Sequence, residues 1–166
     1  STGLRNAGHD VEVAALTADT VGAHPFVERM RDDGIRVAEI RLGKREYVGE
    51  AKPVARLIGR HEVDVVHSHV YRADAAAYLA SMSTGTPQVS TLHGFTGGGL
   101  RQQAYMTIDN WILKRCAAVV CVAPTVRDAA LAHGISPHRL HYVPNGYEPG
   151  TQFVREAARA VLDISD

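Results

Sequence analysis

The sequence predicts an α/β protein built on an open, mostly parallel, doubly wound sheet with its first strand missing. Three observations lead there. Short apolar runs recur at residues 11–17, 35–41, 64–69, 88–92, 118–122 and 140–143, each starting about 22–30 residues after the last, one strand-plus-helix unit apart. Amphipathic or small-residue helical patterns fill the intervals. The runs Val65-Val66 and Val119-Val120-Cys121-Val122 are continuous rather than alternating, as in parallel strands buried on both faces.

Taken in order, Leu4-Arg5-Asn6-Ala7-Gly8-His9 reads as the last turn of a helix, with Gly8 as a left-handed cap. A strand follows at once. This opening carries the expectation that a first strand and most of a first helix precede it. Pro25 opens a helix that Gly34 closes, with Phe26, Val27 and Met30 on one face. Pro53 is expected to open the next, with Val54, Leu57 and Ile58 facing in. Ala73, Ala76, Ala77 and Ala80 form a small-residue face suited to close packing. Ile108, Trp111 and Ile112 make the apolar stripe of another helix. Thr125-Val126-Arg127-Asp128 matches a capping box, and Gly134 ends that helix. Phe153, Ala157 and Val161 mark a final amphipathic helix. Residues 1–146 are read as the α/β domain and 147–166 as the start of a linker and helix.

The 166 residues suit one domain. With 18 basic and 18 acidic residues the net charge is zero, which removes the electrostatic case for nucleic acid as a partner. No apolar stretch reaches the roughly 18 residues of a membrane span, and no leader is visible. Cys116 and Cys121 read as buried, reduced thiols rather than a disulfide or metal framework, consistent with a cytoplasmic setting.

In such sheets ligands bind outside the carboxyl ends of the strands, so chemistry is sought there. Asp64-Val65-Val66-His67-Ser68-His69 runs straight into a helix. Thr91-Leu92-His93-Gly94-Phe95 follows the next strand, extended by Thr96-Gly97-Gly98-Gly99. Val122-Ala123-Pro124-Thr125 and Val143-Pro144-Asn145-Gly146 end the last two. His67 and His69 point the same way because strand side chains alternate. Paired imidazoles there could hold a metal, but no carboxylate at ligand spacing accompanies them. A structural role suits His67, and a cleft-lining one His69. His93 can donate a hydrogen bond or exchange a proton near neutral pH. Gly94 beside it allows a tight turn or close ligand approach. Gly97, Gly98 and Gly99 read equally as a phosphate cradle or as a loop that orders over substrate. Asn145-Gly146 alone is a turn signal.

Together, residues 64–69, then Pro87-Gln88-Val89-Ser90-Thr91-Leu92-His93-Gly94, then Val122-Ala123-Pro124-Thr125 with Arg127, then Val143-Pro144-Asn145-Gly146 resemble the N-terminal domain of family 4 glycosyltransferases. Gly8-His9-Asp10-Val11 resembles that family's step into its second strand. The resemblance implies a GT-B fold, two Rossmann-like domains facing a cleft, of which this chain is the acceptor-side half. It implies a retaining transfer from a nucleotide-sugar held by a C-terminal domain that this sequence lacks, with no metal and no cofactor. The acceptor would be a sugar, a lipid-linked species or a small molecule. The protein would be cytoplasmic, with a peripheral place at the membrane left open. His93 matches the family histidine near the reaction centre that contacts the donor sugar. Pro144, Asn145 and Gly146 match the motif that introduces the interdomain linker, although Tyr147 and Glu148 depart from the usual Val or Ile and Asp. The candidate catalytic residue is therefore His93. The candidate cleft-lining residues are His69, Gly94, Phe95, Gly97, Gly98, Arg72, Arg101, Thr125 and Asn145. Arg72 and Arg101 would suit an acceptor phosphate. Segments 47–50, 71–72 and 95–101 would form acceptor loops.

Two other readings compete. One is a non-enzymatic α/β module binding a carbohydrate or small ligand. The other is a metal-dependent hydrolase using His67 and His69, whose barrel typically takes about 250 residues.

Overall fold

A computed structural model describes residues 2–18, 24–42, 47–94, 99–146 and Arg159. The elements are α1 (Thr2–Asn6), β1 (Glu12–Ala18), α2 (Pro25–Asp32), β2 (Arg36–Leu42), α3 (Tyr47–Arg60), β3 (Val66–His69), α4 (Val70–Thr84), β4 (Gln88–Leu92), α5 (Leu100–Leu113), β5 (Ala118–Cys121), α6 (Pro124–Ala132), a 3-10 turn (Pro137–Arg139) and β6 (Leu140–Tyr142). Every strand pairing is parallel. The fold class is the expected α/β one, but among the described residues the sheet comes in two pieces. β1 and β2 form one, and β3-β4-β5-β6 the other.

Two apolar clusters hold these layers. Ile40 of β2, Val54 and Ile58 of α3 and Ala80 of α4 pack together, with Leu16 of β1 and Val66 of β3 against them. This cluster draws on both sheet pieces and joins them. The second gathers Leu92, Val119, Cys121 and Leu140 from β4, β5 and β6 with Ile112, Leu113 and Cys116 from the α5 end and Ala130 from α6. Full burial of a side chain such as Leu113 contributes roughly 1.5–3 kcal/mol. Both cysteines are buried and free, as read from the sequence. Burial raises the Cys121 thiol and pushes that of Cys116 up to about 12.

Local signals explain most boundaries. Pro25 sits at the start of α2, where its missing N–H costs nothing, and His24 caps that helix by accepting from the Phe26 N–H. Gly8, Gly34, Gly85 and Gly134 follow helices with positive φ, the left-handed step that ends them.

Four expectations need correction. Pro53 does not open α3 but lies inside it, because the helix begins at Tyr47. Its absent N–H would have met the carbonyl of Gly49, which is exposed and open to water. Thr125 caps nothing: Ala123 is the N-cap of α6, with no side-chain bond, and Pro124 takes the first helical position. Ile108 and Trp111 are about half exposed, so only Ile112 of that stripe is buried. The inward face of α5 is Asp109, Ile112 and Leu113, leading to Cys116. Segments 47–50 and 71–72 are helical rather than loops. The final helix proposed around Phe153, Ala157 and Val161 lies outside the described residues.

Candidate active site at the strand ends

The carboxyl ends of β3, β4, β5 and β6 share one rim because all four strands run the same way. In that order they present His69, His93 with Gly94, Thr125 at the start of α6, and Asn145 beyond β6. At about 4.8 Å between neighbouring strands, the four positions span roughly 14 Å.

Register brings the imidazoles together. His67 lies opposite Val89 and His69 opposite Thr91, so these four share a face of the sheet. His93, two residues past Thr91, continues on it. The rings of His67 and His69 stack with centroids 4.7 Å apart. Nε2 of His67 lies 2.7 Å from Oγ1 of Thr91. Nδ1 of His69 lies 3.4 Å from Nε2 of His93, with ring centroids 5.7 Å apart. The side chains of His67 and His69 are exposed on the rim, and their partial desolvation is the main cause lowering their proton affinity. The charge of His69 adds to it at His67, and that of His93 at His69, while Asp74 pulls His69 the other way.

The backbone turns sharply just after two of these rings. Val70, with φ +66°, carries the chain from β3 into α4, and Gly94 adopts φ +138° after His93. A positive φ at a β-branched residue is strained, and such strain clusters at functional sites. Nothing in the sequence marks Val70 as unusual.

Behind the rim, β3, β4 and α4 are tied by buried polar groups. Ser68 Oγ donates to Asp74 Oδ1 at 2.5 Å, and Gln88 Nε2 donates to Ser68 Oγ at 2.9 Å and to the Asp74 carbonyl at 3.2 Å. Ser90 of β4 and Asp109 of α5 are buried as well. Burial raises the Asp74 carboxyl, and burial together with the charge of Asp74 pushes Asp109 up to about 7. The two acids therefore titrate together rather than independently.

The candidate arginines divide. Arg72, from the first turn of α4, gives its Nε to Oε1 of Glu50 at 2.8 Å and its Nη2 to the same oxygen. Glu50, in the first turn of α3, is fully buried. Sequence reasoning missed this pair, since it joins residues 22 apart through tertiary packing. Arg101 lies in the first turn of α5, but its side chain, like Phe95, Gly97 and Gly98, lies outside the described residues. Among the described residues no group of three or more His, Cys, Asp or Glu side chains is arranged to hold a metal ion.

A recess of about 300 Å³ lies elsewhere, lined by Tyr78, Ser81, Gln88, Arg115 and Arg139 among others. It sits at the amino ends of β4 and β5, opposite the histidines, where the strand-end rule places no ligand.

The strands that form this rim lie within the reach of a family model. The model for Glycosyltransferase Family 4 matches residues 1–150. The chain belongs to that family. Over 96 residues it is 30% identical to α-maltose-1-phosphate synthase of Mycolicibacterium smegmatis, covering 51% of this chain and 24% of the relative. A glycosyltransferase structure from Rickettsia africae aligns with TM-score 0.65 at 17% identity, over 93% of this chain and 50% of that one. The Anabaena protein HepE, crystallised with UDP and glucose, aligns with TM-score 0.64 at 17% identity, over 81% of this chain and 37% of its own. The family 4 chain thus spans about a quarter of its curated relative and half or less of these two structures. Among the described residues, no helix of this family member is long and apolar enough to cross a membrane.

Proposed function

We propose that this family 4 chain is the acceptor-side half of a glycosyltransferase that moves a sugar, with retained anomeric configuration, from a nucleotide-sugar to an acceptor. The observation that carries the reading is the gathering of His69, His93 and the Pro144-Asn145-Gly146 segment on one strand-end rim within the family match. A nucleotide-sugar donor is supported by the UDP and glucose named with HepE. In this reading a second domain holds the diphosphate. The rim holds the acceptor against the sugar, and His93 offers a hydrogen bond to the donor sugar. Residues 147–166 lead toward that second domain.

Orienting donor and acceptor together can lower a barrier by roughly 7–11 kcal/mol, and one half alone forgoes that gain. The chain by itself should therefore transfer no sugar and bind donors poorly. Calorimetric titration with UDP-sugars should give no saturation below millimolar concentration. Acceptor candidates added to labelled chain should shift the resonances of His69, His93 and Asn145. Micromolar donor binding by this chain alone, or acceptor shifts confined to the opposite rim, would reject the assignment.

A further inference from the structure

We propose that His69 is the positioning residue for His93, engaging Nε2 of that ring so that only Nδ1 remains to meet a ligand. The inference deepens the transfer reading above in one respect, since there the ligand at Nδ1 is the donor sugar. The pairing itself stands on geometry.

His69 and His93 belong to neighbouring strand ends and to the same face of the sheet. Their facing nitrogens are 3.4 Å apart, at the long end of hydrogen-bonding range, as is common before a ligand closes a site. His69 is itself braced. His67 stacks on it and is fixed in turn by Thr91 Oγ1 at 2.7 Å. The backbone bends at Val70 and Gly94, immediately after the two ring-bearing residues. The groups facing His69 are His67 on its own strand, His93 beyond β4 and Asp74 on α4. A neutral imidazole donates from one nitrogen and accepts at the other. Whichever ring supplies the shared proton, a bond between them fixes the His93 tautomer, because a neutral ring carries a single N–H.

The test is nitrogen NMR of the histidine rings in this chain at pH 7.5. In the wild type, His93 should occupy one tautomer, with its two ring nitrogens at distinct protonated and unprotonated shifts. His69→Leu should lose that pattern and give averaged shifts. His69→Asn, whose amide reaches the place of Nδ1, should restore it. Averaged His93 shifts in the wild type would overturn the proposal, and that spectrum decides the matter even if the Leu variant does not fold. An unchanged single tautomer in a folded His69→Leu chain would overturn it equally. These spectra do not depend on sugar transfer, so failure of the pairing and failure of the proposed activity are told apart.

Discussion

Replacing Asp109 by Asn removes an acid that the fold keeps protonated far above the ordinary carboxylate range. Asp109 is 5% exposed, and burial with the neighbouring Asp74 moves it from 3.8 to about 7. A group raised on folding binds its proton more tightly in the native state. Its contribution is complete below the unfolded value and is lost as pH climbs through the folded one. At 1.36 kcal/mol per tenfold change in proton affinity, the span from 3.8 to about 7 is about 4 kcal/mol of stability lost between those pH values. Asn keeps the shape and neutrality of the protonated acid and cannot ionise. Urea unfolding followed by circular dichroism, on both proteins from about pH 4 to 8, gives the difference in stability. It should move in favour of Asp109→Asn by about 2–4 kcal/mol across that range. Subtracting one protein from the other cancels His67 and His69, which act with the opposite sign. A difference that stays flat within about 0.5 kcal/mol would mean that folding does not raise the proton affinity of Asp109, and the reasoning would fail.

Two further outcomes are expected. Arg72→Met leaves the fully buried Glu50 carboxylate without its guanidinium and should cost about 3 kcal/mol in urea unfolding, whereas an unchanged midpoint would show that the pair contributes nothing. Val70→Gly removes a side chain from a position at φ +66° where the strain is roughly 1–2 kcal/mol, partly offset by a more flexible unfolded chain, so a small rise in melting temperature is expected; a clear fall would show that Val70 is not strained.

The order of elements was legible because strand spacing is local information. All six apolar runs became strands, shifted or shortened by two residues or fewer at either end. Pro53 misled because proline reads as a helix opener, and only the chain before it shows that α3 is already under way. On α5, hydrophobicity pointed to Ile108 and Trp111, but Asp109 faces inward, near the buried acid Asp74. The rim was legible in outline, since parallel strands put every βα junction on one side. The His69–His93 contact was not, because it depends on the register that sets His69 beside Thr91, across 22 residues of chain. Glu50 looked like a loop residue until α3 and α4 were packed together.

That same register bears on how the molecule assembles. No two neighbouring groups of the rim lie within one hairpin, since each parallel pairing spans a whole helix and its connections. Non-local pairings form only after the chain has closed long loops, which slows folding. The histidine face should therefore mature late, after helices such as α4 have nucleated. Peptides excised from either strand would carry the rings without their arrangement.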